Sequence, residues 1–215
     1  MRGRHVARML RPMQGRAEAG SFGPIDIPAD ALVLLIGAAG SGKTTLAGRL
    51  FTAEAILSSD ALRQQVSGDA ANQQASPQAF RILHAQAARR LAAGRLTVVD
   101  ATNITAAARR PLRRLASAHG RPVIAIVLDV AGAVCLARNG GRPGRTVPEA
   151  VVLRQLGSLR RALDQGDLAA EQFDRLVVLT DSAAVDGTTV GLTKPANGAT
   201  LSVSALPRRT RRRNP

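Results

Sequence analysis

Residues 37–44 run Gly-Ala-Ala-Gly-Ser-Gly-Lys-Thr, the spacing G-x-x-x-x-G-K-[ST], after an apolar run and ahead of a helix-like segment. In such a segment Gly37, Gly40 and Gly42 let the backbone curl so that its N–H groups point inward at phosphate oxygens. Ser41 adds a hydroxyl, and the helix that follows presents its positive N-terminal end. Lys43 then reaches the β- and γ-phosphates of ATP, and Thr44 offers a hydroxyl to Mg²⁺. Thr45 either joins this nucleotide-binding set or lies on the helix surface. Positive charge elsewhere is carried almost wholly by arginine, yet one of the two lysines in the chain, Lys43, stands at this position; the other is Lys194.

Binding a nucleotide does not by itself transfer a phosphoryl group, so the polar residues at the ends of other apolar runs matter. One run ends at Ser58-Ser59-Asp60, followed by Ala61-Leu62-Arg63, and another at Asp100-Ala101-Thr102-Asn103. In an open parallel sheet, ligands sit beyond the carboxyl ends of the strands, which brings both carboxylates to the rim that holds Lys43. Transfer to a hydroxyl needs one carboxylate to accept the proton of the attacking oxygen and another group to hold Mg²⁺ or its waters. Asp60 is the expected base and Asp100 the expected magnesium-side carboxylate. The alternatives are an N-cap for Asp60 and a strand-end turn for Asp100. Arg63, one helical turn past Asp60, would clamp an anionic acceptor or lie on a solvated face, and Asn103 is counted with it on the substrate side.

A third cluster, Arg138-Asn139-Gly140-Gly141-Arg142-Pro143-Gly144-Arg145, sets three arginines on a Gly/Pro-rich hinge. That composition suits a lid that closes over ATP and neutralises charge developing on the γ-phosphoryl, with Arg142 placed among the catalytic groups and Arg138 and Arg145 at the nucleotide. A plain basic loop is the alternative. Arg109, Arg110, Arg113 and Arg114 read as a solvated helix face, and His84 and His119 as ordinary helix residues.

The elements that must position these groups alternate between short apolar runs and amphipathic segments, the pattern of a parallel sheet covered on both faces. The expected strands are Leu32–Ile36, Ala55–Ser58, Leu96–Val99, Val123–Leu128 and Leu176–Leu179. Ser76-Pro77 marks a helix start, after which Phe80, Leu83, Ala87 and Leu91 form one stripe. Thr146 and Glu149 form a capping-box pattern ahead of Val152, Leu156, Leu159 and Leu163. Pro111 interrupts the helical pattern of 106–118, which would start late or bend. The expected fold is an α/β three-layer sandwich with a five-stranded parallel sheet and an Arg-rich lid. Its domain covers residues 25–181, between a basic arm at 1–24 and a low-complexity basic tail at 182–215.

The chain has 215 residues and a formal net charge of +15, of which ten charges fall in the arm and in residues 194–215. The part between is only mildly basic. Basic ends of this kind contact polyanions such as nucleic acid, or remain solvated. Cys135 is the sole cysteine, which excludes an internal disulfide framework and a multi-cysteine metal site and fits a reducing, cytoplasmic setting. No apolar run approaches the roughly 20 residues of a membrane span, so no membrane partner is expected. The basic opening lacks the apolar core of an export signal. Trp and Tyr are absent and Phe occurs four times, which removes most stacking platforms for single-stranded nucleic acid, though arginine planes can replace them.

Taken in order, GAAGSGKTT, SSDALR, VVDATN, AAARRPLRRLASAHG and CLARNGGRPGRTVPEAVVLRQ resemble the kinase module of bacterial polynucleotide kinase-phosphatases and the wider group of P-loop kinases labelled AAA-like ATPases. The resemblance spans about Leu32 to Leu179 and implies a P-loop NTPase fold, ATP with Mg²⁺ as cofactors, and transfer of the γ-phosphoryl to a polynucleotide 5′-hydroxyl. It also implies Asp60 as general base, Arg63 at the acceptor, Lys43 and Thr44 at phosphates and Mg²⁺, and Arg138, Arg142 and Arg145 at the nucleotide. The residues after Leu179 are too few for the phosphatase and ligase modules of those enzymes. A sugar, nucleoside or antibiotic hydroxyl therefore stays open as acceptor, as does a nucleotide-dependent switch that binds nucleic acid with little catalysis.

Overall fold

A computed structural model describes residues 13–17, 24–70, 72–141 and 146–196, with backbone alone at 13–17 and at 73. In chain order the elements are β1 Met13–Ala17, β2 Ile25–Pro28, β3 Leu32–Ile36, α1 Lys43–Leu50, β4 Ile56–Ser58, α2 Ser59–Ser67, α3 Ser76–Ala92 and β5 Thr97–Asp100. There follow α4 Ala106–Ala118, β6 Val123–Leu128, α5 Gly132–Gly140, α6 Glu149–Asp164, α7 Asp167–Ala170, β7 Arg175–Leu179, α8 Ser182–Gly187 and β8 Val190–Thr193.

All five expected strands lie in one parallel sheet, ordered β7-β6-β3-β5-β4, and β1 adds a sixth strand beside β7. The central strand shows why its sequence is apolar throughout. Val33 and Leu35 point into one core with Leu46 of α1, Cys135 of α5 and Val152 of α6. Leu32, Leu34 and Ile36 point into a second core with Leu62 of α2, Leu83 of α3, Leu112 of α4 and Leu159 of α6. Side chains alternate along a strand, so a strand covered on both faces must be apolar at every position. Each such Leu removed from water contributes about 1.5–3 kcal/mol. Among the described residues no helix is long and apolar enough to cross a membrane.

The expected boundaries shift at both ends. Met13–Ala17, inside the expected arm, pairs in register with β7, Met13 opposite Arg175 and Ala17 opposite Leu179. Beyond residue 181, α8 is capped by Asp181, and β8 pairs in parallel with β2. Arg49 of α1 donates to the carbonyls of Val185 and Thr188, which fastens this segment to the domain. Residues 197–215, the rest of the expected tail, lie outside the described residues.

Three helix details also differ. In α3 it is Ala79, with Leu83, Ala87 and Leu91, that is buried, while Phe80 stands one position round the helix and is half-buried. Helix α6 starts after Pro148 without a side-chain cap, because the residue before it, Val147, is held by Asn139 instead: Asn139 Nδ2 donates to Val147 O at 2.7 Å, and Val147 N donates to Asn139 Oδ1 at 3.1 Å. Helix α4 begins at Ala106 and runs through Pro111, with the Thr105 hydroxyl accepting from Ala108 N at 3.2 Å. A proline removes one ladder bond, and this helix keeps a cap and a buried stripe to offset the loss.

Candidate active site

Strand β3 ends at Ile36 and α1 starts at Lys43, so residues 37–42 form a tight loop between them. Gly40 and Gly42 sit at φ +80° and +99°, in the left-handed region that favours glycine. At Gly40 a Cβ would lie 2.1 Å from Cys135 O, so the loop backbone is pressed directly onto α5. Lys43 is 8% exposed, and its Nζ donates to Ala38 O at 2.7 Å and to Ser41 Oγ at 3.4 Å.

Two members of the expected phosphate-binding set, Gly37 and Ser41, have partners within the protein. Gly37 N donates to Thr102 O at 3.1 Å, so that N–H ties the loop to the turn after β5 rather than facing a ligand. Ser41 is fully buried, its hydroxyl turned toward Lys43. Both residues shape the loop from beneath.

Above the loop lies a cleft of 740 Å³. One wall is the loop and the first turn of α1, including Gly40, Gly42, Lys43, Thr44 and Thr45. The end of β5 supplies Asp100, Ala101 and Thr102. The Thr44 hydroxyl donates to Asp100 Oδ2 at 2.9 Å. A third wall, from the paired helices α2 and α3, carries Asp60, Arg63, Ser76 and Phe80. The fourth comes from Arg138 and the N-terminal part of α6 with the residues just before it.

Helix α2 is capped by Ser58, whose hydroxyl accepts from Ala61 N, so Asp60 is not the cap. Its carboxylate sits in the first turn, where the helix dipole favours negative charge, and pairs with Arg63. Arg63 Nε donates to Ala70 O at 2.9 Å, and the side chain is buried, which pushes its pKa below the ordinary arginine value. Arg63 is therefore no solvated face. Arg138 lies on the last turn of α5, not on a loop; its Nη1 would lie 3.7 Å from a Cβ at Gly42, and its Nη2 donates to Ser182 Oγ at 3.3 Å. The other two expected lid residues, Arg142 and Arg145, lie outside the described residues.

Asn103 does not reach the acceptor side. It is 3% exposed, at φ +48°, and its Nδ2 donates to Leu35 O at 2.9 Å. An asparagine tolerates that backbone conformation and here stitches the β5 turn to β3. The same turn is gripped by Arg109, expected on a solvated face but 1% exposed. Its Nη1 donates to the carbonyls of Asn103 and Ile104, and its other nitrogens pair with Glu171. Arg113 lies over the Phe173 ring at 5.2 Å and also bonds Glu171.

Gln155 is a functional candidate that sequence reasoning missed: its Oε1 accepts from Ala39 N at 2.9 Å, holding the phosphate loop from α6. The signal was a polar residue three positions after Val152 and four before Leu159, on the stripe that faces inward. Arg109 shows the same signature, standing three before Leu112 and seven before Ala116.

Oxygen donors from Thr44 and Asp100 suit Mg²⁺, which prefers hard ligands and keeps waters and substrate phosphates for the remaining positions. Among the described residues there is no group of three or more His, Cys, Asp or Glu side chains that could hold a metal ion.

A parallel sheet whose central strand runs into a glycine cradle with Lys43 and Thr44 at a helix N-terminus defines a P-loop protein with a kinase-like module. Residues 32–165 match the AAA domain family (AAA_33), and the chain belongs to that family. Among curated proteins no relative matches. Among solved structures, the chain is similar to a candidate kinase from Chloroflexus aurantiacus, with 20% identity and a TM-score of 0.49 over 72% of this chain and 89% of that one. It is also similar to a chain in the Pnkp1/Rnl/Hen1 RNA repair complex, with 17% identity and a TM-score of 0.55 over 67% of this chain and 47% of that one. A gluconokinase from Sinorhizobium meliloti matches with 21% identity and a TM-score of 0.46 over 75% and 93%. The chain thus spans about half of the repair-complex protein, and at that identity the likeness is one of fold.

Proposed function

We propose that this protein is an ATP-dependent kinase that transfers the γ-phosphoryl group to an acceptor hydroxyl. One observation carries the reading: Asp60 on α2 lines the same cleft as Lys43, Thr44 and Asp100. In the proposed step the acceptor O–H gives its proton to the Asp60 carboxylate as the oxygen bonds to the γ-phosphorus. The bond from that phosphorus to the β,γ-bridging oxygen breaks, and ADP leaves with the electron pair. Lys43 and Arg138 offset charge on the phosphates, and Arg63 holds Asp60 in place. Thr44 and Asp100 would hold Mg²⁺, which when bound neutralises phosphate charge. Arg142 and Arg145 keep their proposed place over the nucleotide, on sequence grounds.

The first acceptor to test is a polynucleotide 5′-hydroxyl, supported by the ordered motifs and by the basic ends of the chain. A small-molecule hydroxyl is the second reading. It is favoured by the α2/α3 wall, whose single cation, Arg63, is already bonded to Asp60 and to Ala70 O. A test offers γ-labelled ATP to oligonucleotide and metabolite pools side by side. Magnesium-dependent label in 5′-OH oligonucleotides supports the first, and label in the metabolite pool alone supports the second. Label in neither pool removes the kinase and leaves a nucleotide-binding switch.

A further inference from the structure

Four phenylalanines are the chain's only aromatic residues apart from histidine. Phe51 and Phe173 are buried in the core, whereas Phe80 lines the cleft. The helix geometry explains the difference. Ala79 takes the innermost position on α3, and Phe80, about 100° further round the helix, packs at the edge of the core and lines the cleft on the side where Ser76 stands one turn earlier. The His84 ring is its neighbour, centroids 6.4 Å apart and tilted by 47°. Burial pushes the His84 pKa below its ordinary value.

The wall of the cleft made by α2 and α3 thus combines one carboxylate, one guanidinium, the hydroxyls of Ser59 and Ser76, and one aromatic face. A polyol or a polyanionic small molecule needs a dense set of donors and cations on the wall that receives it. Here the one guanidinium is 4% exposed, with its Nε on Ala70 O and its Nη2 on Asp60. Beside these polar groups the wall offers an aromatic side chain, on which any nucleobase can stack whatever its edge.

Resting on the kinase reading above, we propose that the acceptor carries a planar ring beside its hydroxyl, in the manner of a nucleoside, with the ring stacked on Phe80 and the hydroxyl turned to Asp60. Such a ring belongs equally to a free nucleoside and to the 5′ end of a nucleic acid.

The experiment compares wild type, Phe80→Leu and Phe80→Tyr. One arm measures phosphoryl transfer to a 5′-OH oligonucleotide, to the same oligonucleotide with an abasic 5′ residue, to adenosine and thymidine, and to gluconate and shikimate. The other measures calorimetric binding of adenosine, thymidine and both oligonucleotides to the ADP-loaded protein, with circular dichroism and ADP affinity as controls on folding. Loss of the ring, from the acceptor or from residue 80, should raise the acceptor KM or Kd by about ten-fold or more, without the two losses adding. Phe80→Tyr should restore the value, and the affinity for ADP should not move. Preference for the oligonucleotide over adenosine and thymidine assigns the ring to a nucleic-acid end, and the reverse to a free nucleoside. Binding that ignores Phe80, equal use of the abasic end, or no binding of any ring-bearing probe overturns the inference, even where transfer to gluconate or shikimate upholds the kinase. Absence of transfer to every acceptor removes the kinase reading, while the calorimetric arm still decides whether Phe80 receives a ring.

Discussion

Thr44 Oγ1 donates to Asp100 Oδ2 at 2.9 Å, joining the first turn of α1 to the carboxyl end of β5. The two strands behind them, β3 and β5, are neighbours, with Leu35 opposite Asp100. The bond therefore presents two oxygens at one point of the rim. Asp100→Ala should raise the Mg²⁺ concentration that half-saturates turnover by roughly ten-fold or more, read from a magnesium titration at fixed ATP. An unchanged titration would remove Asp100 from the magnesium side.

The phosphate loop owes its shape to one close approach. Gly40→Ala forces a methyl group toward Cys135 O from a left-handed backbone, so ATP binding should be lost while the rest of the fold survives. Gly48, in the last turn of α1, meets nothing within 4 Å. Gly48→Ala should stabilise the protein by about 0.5–1 kcal/mol with ATP affinity retained. Calorimetric titration and urea unfolding of both variants check the contrast.

Arg109, buried, pairs with the partly buried Glu171 beside the β5 turn. Removing Arg109 strips the Asn103 and Ile104 carbonyls of their donor and leaves Glu171 to Arg113 alone, so Arg109→Ala should cost about 3 kcal/mol. Arg113→Ala, at a half-exposed guanidinium, should cost about 1 kcal/mol or less. Equal urea midpoints for the two variants would contradict the burial argument.

His84 makes stability depend on pH in a definite sense. Its folded pKa lies below the ordinary 6.5, so between the two values the unfolded chain binds more protons. Stability should fall on acidification through that window and be regained above 6.5. Urea midpoints at about pH 5.5 and about pH 7.5 should differ less in His84→Gln than in wild type. An equal or larger difference in the variant would refute the assignment.

Much of this was legible because short apolar strands and a glycine cradle are local signals. All five expected strands occupy the sheet, and Lys43, Thr44, Asp60 and Asp100 line one cleft. The illegible parts depend on contacts distant in sequence. Arg109 looked solvated because its partner, Glu171, lies 62 residues away. Asn103 looked like a ligand-facing residue because the Leu35 carbonyl that accepts from it belongs to another strand. Residues 182–196 looked like tail because the strand that pairs with β8 is β2, at the far end of the domain. Composition cannot report such pairings.

The role of Asp60 is tested most directly by single-turnover transfer from γ-labelled ATP, at saturating acceptor, in wild type and Asp60→Asn, with ATP affinity measured in parallel. The predicted result is a rate lower by about 10²–10⁴-fold with ATP bound as tightly as before. A variant that transfers at the wild-type rate would contradict the assignment of Asp60 as the base.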